Sequence, residues 1–167
     1  SRHYHFRKKV VKQQIEWLIN EMFNDYQWKI TTSPRSPNLD IPKHSGNAEF
    51  YSWKDTEEDW LSEEIKQSEV TFLTPESVSV LYEGLSTNTK VYVFHHEHHT
   101  ADQYGSEKKT KVTKNIDKLK LQGQIGYIDS KRYMLSRSIK SADLIHPKVS
   151  EPFCETKRVV KELMEIL

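Results

Sequence analysis

Residues 70–94 read VTFLTPESVSVLYEGLSTNTKVYVF, and this stretch decides the fold of the chain. A short apolar run is followed by a helical pattern, and a second β-rich run then ends at Phe94. The order strand, helix, strand is the unit from which parallel sheets are built. We therefore predict an α/β domain with a mainly parallel sheet.

The helix of this unit is predicted to begin at Thr74. Thr74 is a suitable N-cap, Pro75 suits the first helical position, and Glu76 carries a negative charge in the first turn. Asn88 is predicted to end the helix in the left-handed conformation. The apolar residues form one stripe at helical spacing, namely Val78, Leu81, Tyr82 and Leu85.

The start of this helix is a candidate anion site. Unpaired backbone N–H groups and the helix dipole bind phosphate at such ends. Ser77 and Ser79 lie beside this end, and Glu83 lies about one turn further along. A phosphate at the cap and a sugar hydroxyl beside Glu83 fit that spacing. The alternative is a strand–helix–strand unit whose acidic face is only solvated, and the spacing alone favours this alternative.

Composition limits the class of protein. A chain of 167 residues is one domain of ordinary size, and its 25 basic and 24 acidic residues argue against a dedicated nucleic-acid binder. A single cysteine, Cys154, excludes an internal disulfide and indicates a reducing compartment. The sequence shows neither a signal peptide nor an apolar run of membrane-spanning length. We expect a cytoplasmic protein and, because Ser1 leads straight into a helical pattern, a fragment of a longer chain.

The remaining elements alternate in type along the chain. Helices are predicted around the apolar stripe Val11, Ile15, Leu18 and Met22, after a capping box of Thr56 and Asp59, over residues 111–122 up to Gly123, and at the C-terminal end over residues 153–167. Strands are predicted over residues 28–32, 50–53 and 125–128, and a hydrophilic loop over residues 95–109. This alternation predicts a Rossmann-like three-layer domain with a sheet of about five strands.

In a sheet of this kind, ligands bind at the carboxyl ends of the strands. Those ends carry the sequences TTSPR, FYSW and TPES and the loop that starts at His95. Each is polar or aromatic, as a ligand cleft requires. Loops are usually polar in any protein, so this observation adds only modest support.

Five segments carry a resemblance to a known family. They are ITTSPRSP (30–37), FYSW (50–53), the stretch 70–94, KKTKVTKNIDKLKLQG (108–123) and EPFCETKRVVKEL (151–163). In this order they resemble the carboxy-terminal half of the mitochondrial fission (elongated mitochondria) proteins and their bacterial relatives. Those relatives are described as nucleoside-diphosphate-sugar enzymes with the GT-B glycosyltransferase fold. The resemblance therefore implies the nucleotide-binding half of a two-domain protein, whose amino-terminal domain is the implied partner.

The resemblance also implies positions for a nucleotide-sugar donor. The diphosphate would lie at the helix start after Thr74, at Ser77, Val78 and Ser79, and the ribose hydroxyls would contact Glu83. The base would lie near the strand end of residues 50–53, where Trp53 offers a surface for stacking. Side chains proposed to neutralise the diphosphate are Arg35, Arg2 and Lys108 or Lys109.

GT-B transferases generally need no bound metal and no further cofactor, and their catalytic base usually comes from the other half. We therefore expect this fragment to bind a nucleotide without turnover. A non-catalytic interaction module that keeps the fold is the alternative.

The run HHEHH at residues 95–99 suggests two different roles. Imidazoles ligate zinc, but the run lacks the spacing that places two histidines on one face of a helix. We therefore predict no native metal, and expect His95 or His96 to line the donor cleft. Lysines around residue 110 suggest a phosphate or nucleic-acid patch, but such a run is more often a solvated loop and helix face.

Overall fold

Helices and strands alternate along the chain in the computed structural model, which describes residues 4–5, 8–34, 38–40, 44–95, 97–98, 111–129 and 139–148. The helices are α1 (Lys8–Trp17), α2 (Trp60–Gln67), α3 (Val78–Leu85) and α4 (Lys111–Leu121). A five-residue π-helical segment, Leu18–Met22, continues α1. The strands are β1 (Tyr4–His5), β2 (Trp28–Thr31), β3 (His44–Ser45), β4 (Ala48–Tyr51), β5 (Val70–Leu73), β6 (Lys90–Val93), β7 (Glu97–His98), β8 (Gly126–Ile128) and β9 (Leu144–Ile145).

Parallel pairing dominates the longer strands. The largest sheet has the order β5-β6-β8-β9, in which only β9 runs antiparallel to its neighbour. A second sheet has the order β3-β4-β2, in which β2 and β4 are parallel, and β1 pairs with β7. The predicted Rossmann-like α/β class with a mainly parallel sheet is therefore confirmed. The expected single sheet of about five strands is not present, because β2 and β5 are both edge strands in the described part of the chain.

Around the β5-β6-β8 strands, the core fills two layers, one on each face. On one face Tyr92 and Ile128 pack against Trp17 and Leu18 at the end of α1. On the other face the buried residues come from α3, β6, α4 and β8, namely Leu81, Leu85, Val91, Val93, Ile116, Leu119, Ile125. The alternation of side chains along a strand requires this division, because successive residues of β6 point to opposite faces. Helices on both faces of the sheet make the three-layer arrangement.

Helix α3 begins three residues later than predicted. Its N-cap is Ser77, and residues 74–77 form a turn in which Ser77 N donates to Thr74 O at 3.1 Å. Proline suits the second position of a turn as well as the first turn of a helix, so the sequence signal at Pro75 did not distinguish the two.

The helix end was also predicted wrongly. Asp40 is the only described non-glycine residue with positive φ, so Asn88 is not left-handed. The final carbonyls of α3 accept hydrogen bonds from hydroxyls instead: Ser86 Oγ donates to Tyr82 O at 2.9 Å and Thr87 Oγ1 to Gly84 O at 2.8 Å. The backbone N–H groups of Ser86 and Thr87 donate to the same two carbonyls, so these acceptors are satisfied without a left-handed cap.

Three other local predictions need correction. The capping box of Thr56 and Asp59 does not form, because α2 begins one residue after Asp59, and Thr56 Oγ1 instead donates to Trp53 O at 3.1 Å. Trp53 opens a 3₁₀ turn and is not part of β4. The predicted loop after residue 94 contains β7, and the segment before Pro147 contains β9. The helix over residues 153–167 lies outside the described residues.

Tyr92 gives the fold a testable dependence on pH. Burial raises the pKa of its hydroxyl to about 12 from 10.0, with a smaller contribution from Tyr26. The unfolded chain therefore loses this proton at lower pH than the folded chain. We expect the free energy of unfolding to fall between pH 10 and 12, by up to about 1.4 kcal/mol per pH unit. Urea denaturation across this range measures the slope.

The matched control is Tyr92→Phe, which lacks the titrating hydroxyl. This variant loses the bond between the Tyr92 hydroxyl and His146 Nδ1 (2.7 Å), so its absolute stability changes as well. The comparison therefore uses the slope of the free energy of unfolding against pH. This slope should be shallower in the variant. Equal slopes in the two proteins would contradict the assignment to Tyr92.

Candidate functional site

A large cavity lies between the edge strands β2 and β5. It has a volume of about 1000 Å³ and is lined along its length by residues 25–33 and 67–74. Helix α1 closes one side through Val11 and Ile15, and α2 contributes Leu61 and Ile65. We call this space the β2/β5 cleft.

The position of the cleft follows from the order of the strands. From β2 the chain proceeds to β4 on one side, whereas from β5 it proceeds to β6 and β8 on the other side. The β2/β5 cleft therefore marks the point at which the direction of strand addition reverses. In open α/β sheets, ligands bind outside the carboxyl ends of the strands at this reversal.

Hydroxyl groups line the carboxyl end of the β2/β5 cleft. They come from the residues after β2 and β5, namely Thr31, Thr32, Ser33, Thr74 and Ser77. The Thr74 and Ser77 hydroxyls lie 3.2 Å apart and share a hydrogen bond. This end of the cleft therefore offers several donors and acceptors close together, as a polar ligand requires.

Two polar side chains that line the cleft, those of Lys29 and Tyr26, are already paired. Lys29 Nζ lies 2.7 Å from Glu64 Oε1, and this hydrogen bond raises the lysine pKa. The pKa of Tyr26 is raised, mainly because its hydroxyl hydrogen-bonds Glu69. The amino end is therefore occupied by contacts within the protein, whereas the carboxyl end is the candidate ligand site.

The α3 N-terminus meets the carboxyl end of the cleft at Ser77. The first hydrogen bond of the helix runs from Leu81 N to Ser77 O at 2.9 Å, so the three preceding N–H groups, of Val78, Ser79 and Val80, have no helical acceptor. The Ser77 side chain makes no cap hydrogen bond to them. Polar N–H groups without a helical acceptor therefore lie next to the hydroxyl-lined end.

The other predicted site residues do not all reach the cleft. Ser79 is exposed, Glu83 is half-buried, and neither lines the β2/β5 cleft. Val78 lines a separate depression of about 450 Å³ beside α4. Trp53 is 40% exposed on the turn after β4, where the Lys54 ammonium lies 5.7 Å from its ring centroid.

His95 is held by α1 through its backbone. His95 N donates to Gln14 Oε1 at 2.8 Å, and Gln14 Nε2 donates to His95 O at 3.1 Å. Gln14 is completely buried, so this two-point contact fixes the chain just after β6. The remaining predicted contacts lie outside the described residues, namely Arg2, Arg35, His96, Lys108 and Lys109.

Gln14 is the positioning residue that the sequence analysis missed. It falls in phase with Val11, Ile15 and Leu18, so a polar residue on an otherwise apolar stripe was the available signal. A buried amide requires a hydrogen-bonding partner, but only the tertiary structure shows that the partner is His95.

Among the described residues, no group of three or more His, Cys, Asp or Glu side chains could hold a metal ion. Within the same residues, no helix is long and apolar enough to cross a lipid bilayer. Apart from His95, the side chains of residues 95–99 lie outside the described part of the structure.

The parallel strands, the helices on both faces and the cleft at the strand reversal define a Rossmann-like α/β protein. The family model described as mitochondrial fission ELM1 matches residues 1–167, so the chain belongs to this family. The family membership that the five sequence segments indicated is thereby confirmed. Searches of the curated proteins and of the solved structures return no match.

Proposed function

We propose that this domain binds the diphosphate of a nucleotide sugar at the carboxyl end of the β2/β5 cleft. The observation that carries the proposal is the coincidence of three features at one place. These are the strand reversal, the hydroxyls after β2 and β5, and the uncapped N-terminus of α3. Each of these features favours a phosphorylated ligand.

The diphosphate accepts hydrogen bonds from the N–H groups of Val78, Ser79 and Val80 in this proposal. The hydroxyls of Thr74 and Ser77 provide further donors beside them, and the helix dipole favours the negative charge. Glu83 lies about one turn further along α3, where a carboxylate can accept from ribose hydroxyls. Trp53 is the candidate stacking surface for the base, and its 40% exposure leaves part of the ring accessible.

A second candidate function is an interaction module that keeps the fold without binding a donor. One observation favours it: Lys29 is the only described cationic side chain that lines the cleft, and it is paired with Glu64. In addition, Glu76 Oε1 is buried next to the α3 N-terminus and has no hydrogen-bond partner in the described part of the chain. A carboxylate at that position opposes the binding of an anion.

Thermal shift measurements with UDP, GDP, ADP, CMP and their sugars test the proposal. A nucleotide at about one hundred times its Kd adds roughly 2.7 kcal/mol of stability, so the melting temperature should rise by about 5–10 °C. EDTA should not alter this shift, because backbone N–H groups and not a metal hold the diphosphate. The absence of a shift with every nucleotide would favour the interaction module.

The variant Ser77→Asp tests the position of the diphosphate. Aspartate is as good an N-cap as serine, so α3 should remain intact, but its charge repels a phosphate at the helix start. We expect the Kd for the shifting nucleotide to rise at least about tenfold, equivalent to about 1.4 kcal/mol. Ser86→Asp, at the exposed opposite end of α3, is the control and should leave the Kd within about twofold. Equal effects of the two variants would contradict the assignment.

A further inference from the structure

Helix α4 presents three exposed lysines on one face. They are Lys111, Lys114 and Lys118, and their spacing of three and four residues places them next to each other along the helix. None of the three forms an ion pair with another described residue. We call these three residues the basic face.

A small depression lies beside the basic face. It has a volume of about 450 Å³, and the apolar side chains of Val78, Val112 and Ile116 line it together with the three lysines. Pockets of ~300–1,000 Å³ hold small ligands, so a single aromatic side chain fits this volume. A flat anionic surface would contact only the ammonium groups, whereas a side chain can enter the depression.

The turn between β4 and α2 carries the opposite charge. Its exposed carboxylates are Asp55, Glu57, Glu58 and Asp59. None of them forms an ion pair with another described residue. Four carboxylates and the ammonium of Lys54 give residues 53–59 a net charge of −3, whereas the basic face carries +3. We call residues 53–59 the acidic turn.

Trp53 begins the acidic turn with an exposed ring. Every other described aromatic side chain is buried or half-buried. An exposed indole among carboxylates therefore matches an apolar depression among ammonium groups, both in charge and in the kind of surface that each one needs to cover.

The acidic turn and the basic face lie at the same end of the strands. Helix α2 ends directly before β5, so it begins near the carboxyl end of that strand, and α3 and α4 begin at the same end of their parallel strands. Helix α3 lies between the other two. Ile65 of α2 lies beside Gly84, and on the other side Asn115 of α4 donates a hydrogen bond to the Tyr82 hydroxyl.

We infer that two copies of this chain pair through this layer of helices, with Trp53 of each copy in the depression of the other. A two-fold axis parallel to α3 exchanges the two sides of α3 but keeps the carboxyl ends together. It therefore places the acidic turn of each copy on the basic face of its partner, and the two contacts are identical. Pairing goes beyond the proposed function, and because Trp53 is also the candidate stacking surface for a base, pairing is measured without nucleotide.

The apolar and charged parts of this contact have different roles. Exposed ion pairs contribute little to affinity in water, whereas a tryptophan in an apolar pocket surrounded by polar groups is typical of binding hot spots. The charges fix the orientation and favour the encounter of the two copies. Salt should therefore weaken pairing, because the screening length falls from about 10 Å at 0.1 M to about 3 Å at 1 M.

Analytical ultracentrifugation of charge-reversal variants tests the pairing. Lys114→Glu and Glu58→Lys should each raise the dimer Kd at least about tenfold, because each variant places like charges in both contacts. An equimolar mixture of the two should pair within about threefold of the wild-type Kd, since both contacts then join opposite charges. Lys9→Glu makes the same change of charge on α1, at the other face of the sheet, and should leave the Kd within about twofold.

Trp53→Ala tests the apolar part of the contact. The ring is exposed on a turn, so the fold should be retained, and its loss should raise the dimer Kd at least about thirtyfold. Pairing of this variant at the wild-type Kd would overturn the inference.

Three further results would also overturn it. One is a wild-type chain that stays monomeric at about 0.5 mM in about 0.05 M salt. The second is a mixture of Lys114→Glu and Glu58→Lys that pairs no more tightly than either variant alone. The third is a monomeric chain that binds phosphatidylserine vesicles through the basic face, which would assign these lysines to a membrane. Nucleotide affinity is measured separately by thermal shift, so either proposal can fail without the other.

Discussion

Replacing Gly126 by alanine is expected to destabilise the domain by about 3 kcal/mol or more. A Cβ atom at this position in β8 would overlap the Tyr92 ring and would lie 2.7 Å from the Ile145 carbonyl oxygen. Neither neighbour can move easily, because the Tyr92 ring is stacked on Phe72 with centroids 4.5 Å apart and Ile145 belongs to β9. Urea denaturation should show a lower midpoint with little change in slope.

Gly46→Ala is the matched control for this substitution. Gly46 has a φ of +55°, and nothing lies within 4 Å of a Cβ atom built there. Its cost is therefore only the left-handed conformation of a non-glycine residue, about 1–2 kcal/mol. If the two variants were equally stable, the close contact at Gly126 would not determine the packing of β8 against Tyr92.

Gln14→Ala is expected to lower the free energy of unfolding by about 2–5 kcal/mol. The substitution removes both hydrogen bonds to the His95 backbone and leaves its N–H and C=O groups without these partners. Each buried backbone group left unsatisfied costs about 1–3 kcal/mol. Urea denaturation measures the loss in the free energy of unfolding. Faster amide exchange at His95 would show that the loss arises from the contact with Gln14.

Two controls accompany Gln14→Ala. Glu16→Ala changes an exposed residue of the same helix and should alter stability by less than about 0.5 kcal/mol. Gln14→Glu keeps the acceptor for His95 N but lacks the amide donor for His95 O, so it should also be destabilised. Wild-type exchange at His95 in the Gln14→Ala variant would contradict the positioning role.

Predictions from the sequence were correct for the elements with strong periodicity. They were wrong where the same residues are typical of two different local structures. The stripe of Val11, Ile15 and Leu18 and the helix end at Gly123, whose φ is +70°, were both identified correctly. At Pro75 and Asn88, a turn and a pair of hydroxyl bonds replaced the predicted caps. Local propensity is a weak signal at such positions, because several arrangements satisfy the same backbone groups.

The candidate site was only partly accessible from the sequence. The strand ends and the start of α3 were predicted to face a ligand, and Thr74 and Ser77 do line the β2/β5 cleft. The predicted roles of Ser79, Glu83, Trp53 and His95 in binding a ligand remain predictions. The order of the strands in the sheets decides which of these residues lie close together. This order does not follow from the residue pattern along the chain.

The sequence by itself determined the family, the α/β class and the order of helices and strands, because these follow from periodicity and from residue types at fixed spacing. The tertiary structure alone decided that β2 and β5 face each other as edges, that Gln14 holds His95, and that Tyr92 packs over Gly126. Each of these depends on contacts between residues far apart in the chain. Such contacts form only when apolar surface is buried between elements, so no local pattern encodes them.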